Sequence, residues 1–218
     1  MNISSYPDNE LLKIASGFKK HLKDKFPAMR SNSSAMDQGF IYKFKALFYE
    51  VQAHPFEPET DSVTYKYKLD LDEMADQVRS FFLIFRFYLQ KAFPYNAELC
   101  ETFGYVAMER VIHDYPELRL FLEKTVDLIR EKRSFLRAAN CPESTLEEII
   151  NLSNQIIELH DEFLKYTQKR EVKNRAYQNN LKELFKLMEI VDEAASKSLQ
   201  NDPESLKLLT FPPKEFIH

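Results

Sequence analysis

Hydrophobic residues recur at three- and four-residue intervals through most of this chain, a pattern that predicts amphipathic α-helices. The stripe is clear in residues 9–26, 97–113 and 115–139. Asn96 and Asp114 stand where their side chains can accept hydrogen bonds from the free backbone N–H groups that begin the second and third of these segments. Each segment is therefore predicted to be a helix that turns one face toward a core.

Residues 40–71 carry two competing patterns. Hydrophobic residues at helical spacing predict a helix at 37–52, but the run "VTYKYKLDL" from residue 63 alternates strictly between hydrophobic and polar residues, as in a half-buried strand. A single strand cannot pair its own backbone, so 63–69 either pairs with part of 40–51 or lies extended over the helices. We expect the helix, with a small β-hairpin or extended segment within 40–71 as the alternative.

The run "SFFLIFRFYL", residues 80–89, is the most conspicuous hydrophobic run in the chain. Asp70 with Glu73 three residues later resembles a capping box, which predicts a helix that begins there and ends before Pro94. Hydrophobic residues surround nearly the whole circumference of 71–93, as is typical of a central helix packed on several sides. The uncharged stretch is shorter than the ~20 residues that cross a bilayer.

Arg86 is the one charged residue within that run. An unpaired buried charge is costly, so Arg86 is expected to extend to the edge of the core or to meet a carboxylate. The alternative is a pocket for an anionic ligand, for which the candidate binding residues are Arg86, Tyr88, Glu109 and His113. Helical di-metal sites use Glu-x-x-His, whereas Glu109 and His113 are four residues apart, so no metal site is predicted. No catalytic residue and no cofactor motif is predicted either.

Residues 144–199 contain neither glycine nor proline and carry hydrophobic residues at heptad spacing. The middle of this seam is polar, with Thr167, Arg170 and Asn174 where a coiled coil places hydrophobic residues. Two interpretations remain: one very long helix, or two antiparallel helices that turn near 168–174. Helices beyond ~25 residues are uncommon in compact domains, which favours a helical hairpin packed against the helix at 115–139.

The densest basic run also lies here and contains Lys169, Arg170, Lys173 and Arg175. Such a run is a candidate contact for nucleic acid or phosphate, but no aromatic residues are interleaved with it to stack on bases. A basic run near a helix turn is more often simply solvated.

Together these elements predict an all-α protein, an antiparallel bundle of six or seven helices in a single domain. A soft sub-boundary near residue 114 separates an aromatic-rich helical part, 1–113, from a bundle at 114–199 and a tail at 200–218. Only three glycines occur in 218 residues. This scarcity disfavours folds that need glycine-rich phosphate-binding loops, such as the parallel α/β nucleotide-binding folds.

The net charge is −4, from 30 Lys and Arg against 34 Asp and Glu, which gives no overall field toward nucleic acid or anionic lipid. The N-terminal residues lack a basic segment followed by a hydrophobic one, so no signal peptide is expected. Two cysteines without metal-binding spacing are expected to be free thiols in a reducing, cytoplasmic setting.

The favoured functional hypothesis is a non-enzymatic, cytoplasmic interaction or scaffold protein that associates with itself through the helices of 144–199 or binds another protein. The first alternative is a small-molecule or metal site near Arg86, Glu109 and His113. The second is a nucleic-acid-associated factor that uses the basic run at 169–175. Membrane insertion is not predicted.

Overall fold

The computed structural model describes residues 6–58 and 61–212. These residues form eight α-helices and no strand, so the predicted all-α fold is confirmed. The last residues of the predicted tail, 213–218, lie outside the described part. The helices are α1 (Asp8–Arg30), α2 (Phe40–Ala53), α3 (Ser62–Ala92), α4 (Ala97–Phe103), α5 (Tyr105–Val111), α6 (Tyr115–Ala138), α7 (Glu143–Ser198) and α8 (Pro203–Leu209).

The chain divides into two compact units. The first unit combines residues 1–57 with 170–218, and the second unit contains residues 58–169. Helices α1, α2 and α8 belong to the first unit and α3 to α6 to the second, while α7 contributes residues to both. The sub-boundary near residue 114 stays a prediction.

The core of the first unit is formed by α1, α2, the C-terminal part of α7 and the segment around α8. Phe18 and Phe44 are almost completely buried there. Tyr177 is also buried, and its hydroxyl donates a hydrogen bond of 2.9 Å to the Asp8 carboxylate at the start of α1. Burial raises the pKa of Tyr177 to about 12, with a further contribution from Asp8. The hydroxyl therefore stays protonated and holds α1 against α7.

The core of the second unit is formed by α3, α6, the N-terminal part of α7 and residues from α5. On α3 the buried residues follow a regular alternation of three- and four-residue steps, so that a single stripe faces the core. Phe82 lies in this stripe and packs on Phe121 of α6, with ring centroids 5.4 Å apart. The stripe consists of Leu71, Ala75, Val78, Phe82, Phe85 and Leu89.

Helix α3 begins earlier than the sequence pattern predicts, and the predicted start at Asp70 is wrong. The side chain of Asp61 accepts a hydrogen bond of 2.6 Å from the Thr64 backbone N–H, which caps the helix. Tyr67 then packs between the rings of Phe163 and Tyr166 on α7, at 5.6 and 5.8 Å. These contacts make the alternating run helical, so the β-hairpin or extended alternative does not occur among the described residues.

Helix α7 is one continuous helix of 56 residues, and the predicted helical hairpin is wrong. The polar middle of the seam does not mark a turn, because it packs on the segment that connects α2 to α3. The Glu57 backbone N–H donates to the Asn174 side-chain oxygen at 2.8 Å, and the Asn174 amide nitrogen donates back to the Glu57 carbonyl at 2.7 Å. In the second unit, the Tyr166 hydroxyl donates to Asp61 at 2.6 Å. A polar residue is needed at position 174 because its partner is backbone.

Candidate functional site

A cleft of about 820 Å³ lies in the second unit between the C-terminal half of α3 and the short helices α4 and α5. Its volume is within the range typical of small-molecule sites. One wall is hydrophobic and is supplied mainly by Leu89, Phe93, Pro94 and Val106. The polar residues at its rim include Arg86, Gln90, Glu101 and Arg110.

Gly104 creates the shape of this cleft by breaking the helical path between α4 and α5. Its backbone is extended, with φ −85° and ψ −179°. A Cβ atom at this position would collide with the carbonyl oxygen of Cys100 one turn earlier. Only glycine therefore lets α5 begin directly after α4, which places Tyr105 and Val106 beside α3.

Arg86 is exposed at the rim of the cleft and does not lie in the core. Its guanidinium carbon lies 5.6 Å from the centroid of the Tyr105 ring, a cation–π distance. This contact orients Arg86 toward α5 and leaves its N–H donors facing solvent. With Arg110 and Glu101, the formal charges of the cleft sum to one positive charge at neutral pH.

Cys100 is the cysteine that lines the cleft, and it is partly exposed. Burial raises the pKa of its thiol. Cys141 is buried, and burial followed by the nearby Glu143 carboxylate raises its pKa to about 11. Neither environment favours the thiolate that nucleophilic chemistry requires.

The other three predicted ligand-binding residues are not gathered around Arg86. Glu109 pairs with Arg79 through two hydrogen bonds, at 2.5 and 2.8 Å, and this pair, with help from Tyr105, lowers the pKa of Glu109. Tyr88 is half-buried and contacts the second core, and His113 is exposed beyond the end of α5. Arg86 alone of the four candidates lines the cleft.

Sequence reasoning missed Arg110, Glu101 and Gly104 as cleft residues. The signal for Gly104 was present, because it is one of only three glycines and interrupts a helical pattern. The two charged residues lie on short surface helices and carried no distinguishing signal.

The side of α3 opposite its buried stripe is also notable, and we call it the α3 outer face: Ser80, Leu83, Ile84 and Phe87. The three hydrophobic residues are 43, 52 and 62% exposed. Helix α3 packs on several neighbours, α4, α5 and α6, as predicted. These neighbours do not surround it completely, and they leave hydrophobic side chains of the "SFFLIFRFYL" run in solvent.

Charges of opposite sign flank the α3 outer face. Asp76 lies on the N-terminal side and Lys91 on the C-terminal side, and both are exposed. Asp76 contacts Arg79 only at 4.0 Å, and within the described residues Lys91 makes no ion pair. The face therefore has a negative end, a hydrophobic centre and a positive end along one helix.

On α7, by contrast, the hydrophobic seam is used inside the two units. Leu146, Ile149 and Ile156 are buried in the second core, and Leu184 and Val191 in the first. The large hydrophobic residues of α7 that remain exposed are Leu164 and Val172, at 39 and 67%. Self-association through 144–199 stays a prediction.

The four residues of the basic run do not form one surface. Arg170 is 7% exposed, and the Lys173 ammonium pairs with Glu57 at 2.8 Å. Lys169 and Arg175 are exposed, but six residues of helix place them about 120° apart around the axis. The geometry thus leaves two dispersed cations.

Within residues 6–58 and 61–212, no three His, Cys, Asp or Glu side chains converge as a metal site would require. None of the described helices is long and hydrophobic enough to cross a membrane. Comparison with models of protein families, with curated proteins and with solved structures found no match for this chain.

Proposed function

We propose that this protein is a non-enzymatic interaction protein that associates with a second copy of itself through the α3 outer face. The observation that carries the proposal is the exposure of Leu83, Ile84 and Phe87 on one side of a helix whose other side is fully packed. Contiguous exposed hydrophobic surface on a folded chain marks interaction sites. Self-association through 144–199, which the sequence pattern predicts, is a separate prediction.

The charges on α3 favour a second copy as the partner. Asp76 lies seven residues before Leu83, and Lys91 lies seven residues after Ile84, so the charges are placed symmetrically about the hydrophobic centre. When two α3 helices pair antiparallel about a two-fold axis at this centre, Asp76 of each copy meets Lys91 of the other. A two-fold interface requires such a self-complementary surface.

The expected association is weak. Burying a Leu, Ile or Phe side chain completely contributes about 1.5–3 kcal/mol, and these side chains are already partly covered. Association costs at least ~4 kcal/mol of translational and rotational freedom, and exposed ion pairs add at most ~1 kcal/mol each. We therefore expect a reversible dimer with a dissociation constant on the order of 0.01–1 mM, the transient class of interface.

Reversing the charges at the two ends of the α3 outer face tests the proposal. Asp76→Lys and Lys91→Glu each place like charges opposite one another, so each single variant is expected to weaken the dimer. The double variant D76K/K91E restores opposite charges in the reversed order and is expected to recover the dimer. Sedimentation velocity over a range of protein concentrations measures the dissociation constant of each variant.

Asp127→Lys on α6 is the matched control. Asp127 is 79% exposed and contacts an arginine three residues later, as Asp76 does at 75% exposure. Its reversal changes the net charge equally but lies away from the α3 outer face, so it is expected to leave the dimer unchanged. A chain that stays monomeric at millimolar concentration, or a double variant no better than the singles, contradicts the proposal.

We also propose that the protein is located in a reducing, cytoplasmic setting. Support comes from the two cysteines, both of which are free thiols, one buried and one partly exposed. Structural cysteines of oxidising compartments are usually paired in disulfides.

A further inference from the structure

We propose that the cleft between α3 and the α4–α5 pair binds a small monocarboxylate with a hydrophobic tail. This inference is independent of self-association, because it rests on residues of the cleft and not on the α3 outer face. Three features carry it: the guanidinium groups of Arg86 and Arg110, the hydrophobic wall, and the single opposing carboxylate of Glu101.

The carboxylate is assigned to the arginines that line the cleft. A guanidinium presents several N–H donors in a plane that matches the two oxygens of a carboxylate. Arg86 is already positioned by the Tyr105 ring, so less side-chain freedom is lost when it binds. Arg79 is not available for this role, because both oxygens of Glu109 occupy it.

The hydrophobic tail is assigned to the wall formed by Leu89, Phe93, Pro94 and Val106. Val106 is 61% exposed, although it faces the cleft, and a hydrophobic ligand would cover it. A cleft of about 820 Å³ accommodates a chain of medium length with room for water around the carboxylate.

The net charge of the cleft favours a ligand with a single negative charge. Glu101 offsets one of the two arginines, so the cleft matches a monoanion and repels additional negative charge. It also follows that removing the Glu101 charge should strengthen binding of an anion, whereas removing either arginine charge should weaken it. These opposite changes in affinity distinguish electrostatic recognition of the anion from simple hydrophobic adsorption.

Cys100 provides a reporter for the test because it lines the cleft, and the buried Cys141 provides an internal reference. Neutral iodoacetamide alkylates accessible thiols, and peptide mass spectrometry follows each cysteine separately. The ligands are octanoate, octanol and octylamine, which share one tail and differ in the charge of the head group. Each is titrated below the concentration at which it forms micelles.

Octanoate is expected to slow alkylation of Cys100 at lower concentration than octanol, while octylamine gives no protection in the same range. Arg86→Gln and Arg110→Gln are each expected to weaken octanoate protection by roughly tenfold or more, the effect of losing a charge-assisted hydrogen bond. Glu101→Gln is expected to strengthen it by about threefold. Arg130→Gln on α6, where the arginine is also exposed, is the matched control and is expected to have no effect.

Equal protection by octanoate and octanol overturns the proposal, since the arginines would then play no part. The proposal is also overturned if Glu101→Gln binds octanoate with an affinity equal to or below that of the original chain. Circular dichroism of each variant shows whether the helical fold is retained, and Arg86, Glu101 and Arg110 are all exposed, so their replacement removes no core contact. Absence of protection by octanoate at any concentration below micelle formation also overturns it.

Discussion

His160 lies on α7 inside the second unit, where its side chain is 4% exposed. Its ring centroid is 6.5 Å from that of Tyr115, whose hydroxyl donates to Asp72 of α3 at 2.8 Å. Burial lowers the pKa of His160, Arg119 lowers it further, and Asp161 opposes the shift. Within the described residues, Nδ1 of His160 has no hydrogen-bond partner. The folded protein therefore favours the neutral imidazole.

The stability of the protein should consequently fall as the solution becomes mildly acidic. Below the ordinary histidine pKa of about 6.5, the unfolded chain binds a proton at residue 160 that the folded chain does not. The contribution of His160 to the free energy of unfolding is therefore complete above that pH. It is lost progressively as the pH falls toward the lowered pKa of the folded state. Urea unfolding at pH 7.5, 6.5 and 5.5 measures this slope.

The variant His160→Gln isolates this contribution, because glutamine does not titrate. Its free energy of unfolding is expected to depend less steeply on pH than that of the original chain. His113→Gln serves as the control, since His113 is exposed and removes no buried group. If the slopes of the original chain and of His160→Gln coincide between pH 7.5 and 5.5, the assignment is wrong.

For an individual residue, the type of side chain can be read from the sequence, but the groups that surround it cannot. Arg86 was recognisable as an isolated cation in a hydrophobic run, and it does line a cleft. Its partner Tyr105 was not recognisable, because α5 reaches α3 only through the extended backbone at Gly104. Glu109 was a reasonable ligand candidate until the structure placed Arg79, thirty residues away in the sequence, against it.

Among the helices, α7 is where the hydrophobic pattern is most easily misinterpreted. Heptad reasoning treats Thr167, Arg170 and Asn174 as faults in a seam, and faults suggest a turn. In the structure the seam continues, but its partner changes from a hydrophobic helix face to the polar backbone of Glu57. The starts and capping residues of α4 and α6 were predictable because Asn96 and Asp114 act locally, with side chains that accept from Leu99 and Glu117. The single helix predicted at 97–113 is wrong, because Gly104 divides it into α4 and α5.

The alternation of hydrophobic and polar residues at the start of α3 also predicts the wrong structure, a strand in place of a helix. Alternation over nine residues predicts a strand only when nothing else decides the conformation. Here the local cap at Asp61 and the packing of Tyr67 on α7 decide it, and the second contact depends on a segment distant in sequence.

Replacing Asn174 by leucine distinguishes the two interpretations of the seam. Heptad reasoning expects Asn174→Leu to stabilise the helix. The structure predicts the opposite, because the substitution leaves the Glu57 backbone N–H and carbonyl without their partners. The expected loss is about 1–3 kcal/mol in the free energy of unfolding, measured by urea denaturation.

Thr167→Leu is the matched control on the same helix. Among the described residues the Thr167 hydroxyl bonds only to the carbonyl of Leu164 within α7, so its loss removes no hydrogen bond to another segment there. The stability of this variant is expected to stay within about 0.5 kcal/mol of the original chain. Stabilisation by Asn174→Leu would show that the connecting segment does not bind this part of α7.

Across residues 6–58 and 61–212, the buried hydrophobic residues form two clusters, one in each unit. The sequence analysis predicted a single domain with a soft sub-boundary near residue 114, where the aromatic-rich part of the chain ends. The division could not be found from a composition shift, since the first unit joins the two ends of the chain.

Two cavity-forming variants test whether each cluster supports its own unit. Phe44 in the first core and Phe82 in the second are both completely buried, and each Phe→Ala substitution is expected to cost about 3–5 kcal/mol. Because each side chain belongs to one cluster only, Phe44→Ala should raise hydrogen exchange chiefly in α1 and α2, and Phe82→Ala chiefly in α3 and α6. Hydrogen–deuterium exchange with peptide mass spectrometry measures both patterns. A uniform rise across all helices in either variant would mean that the two units unfold as one cooperative domain.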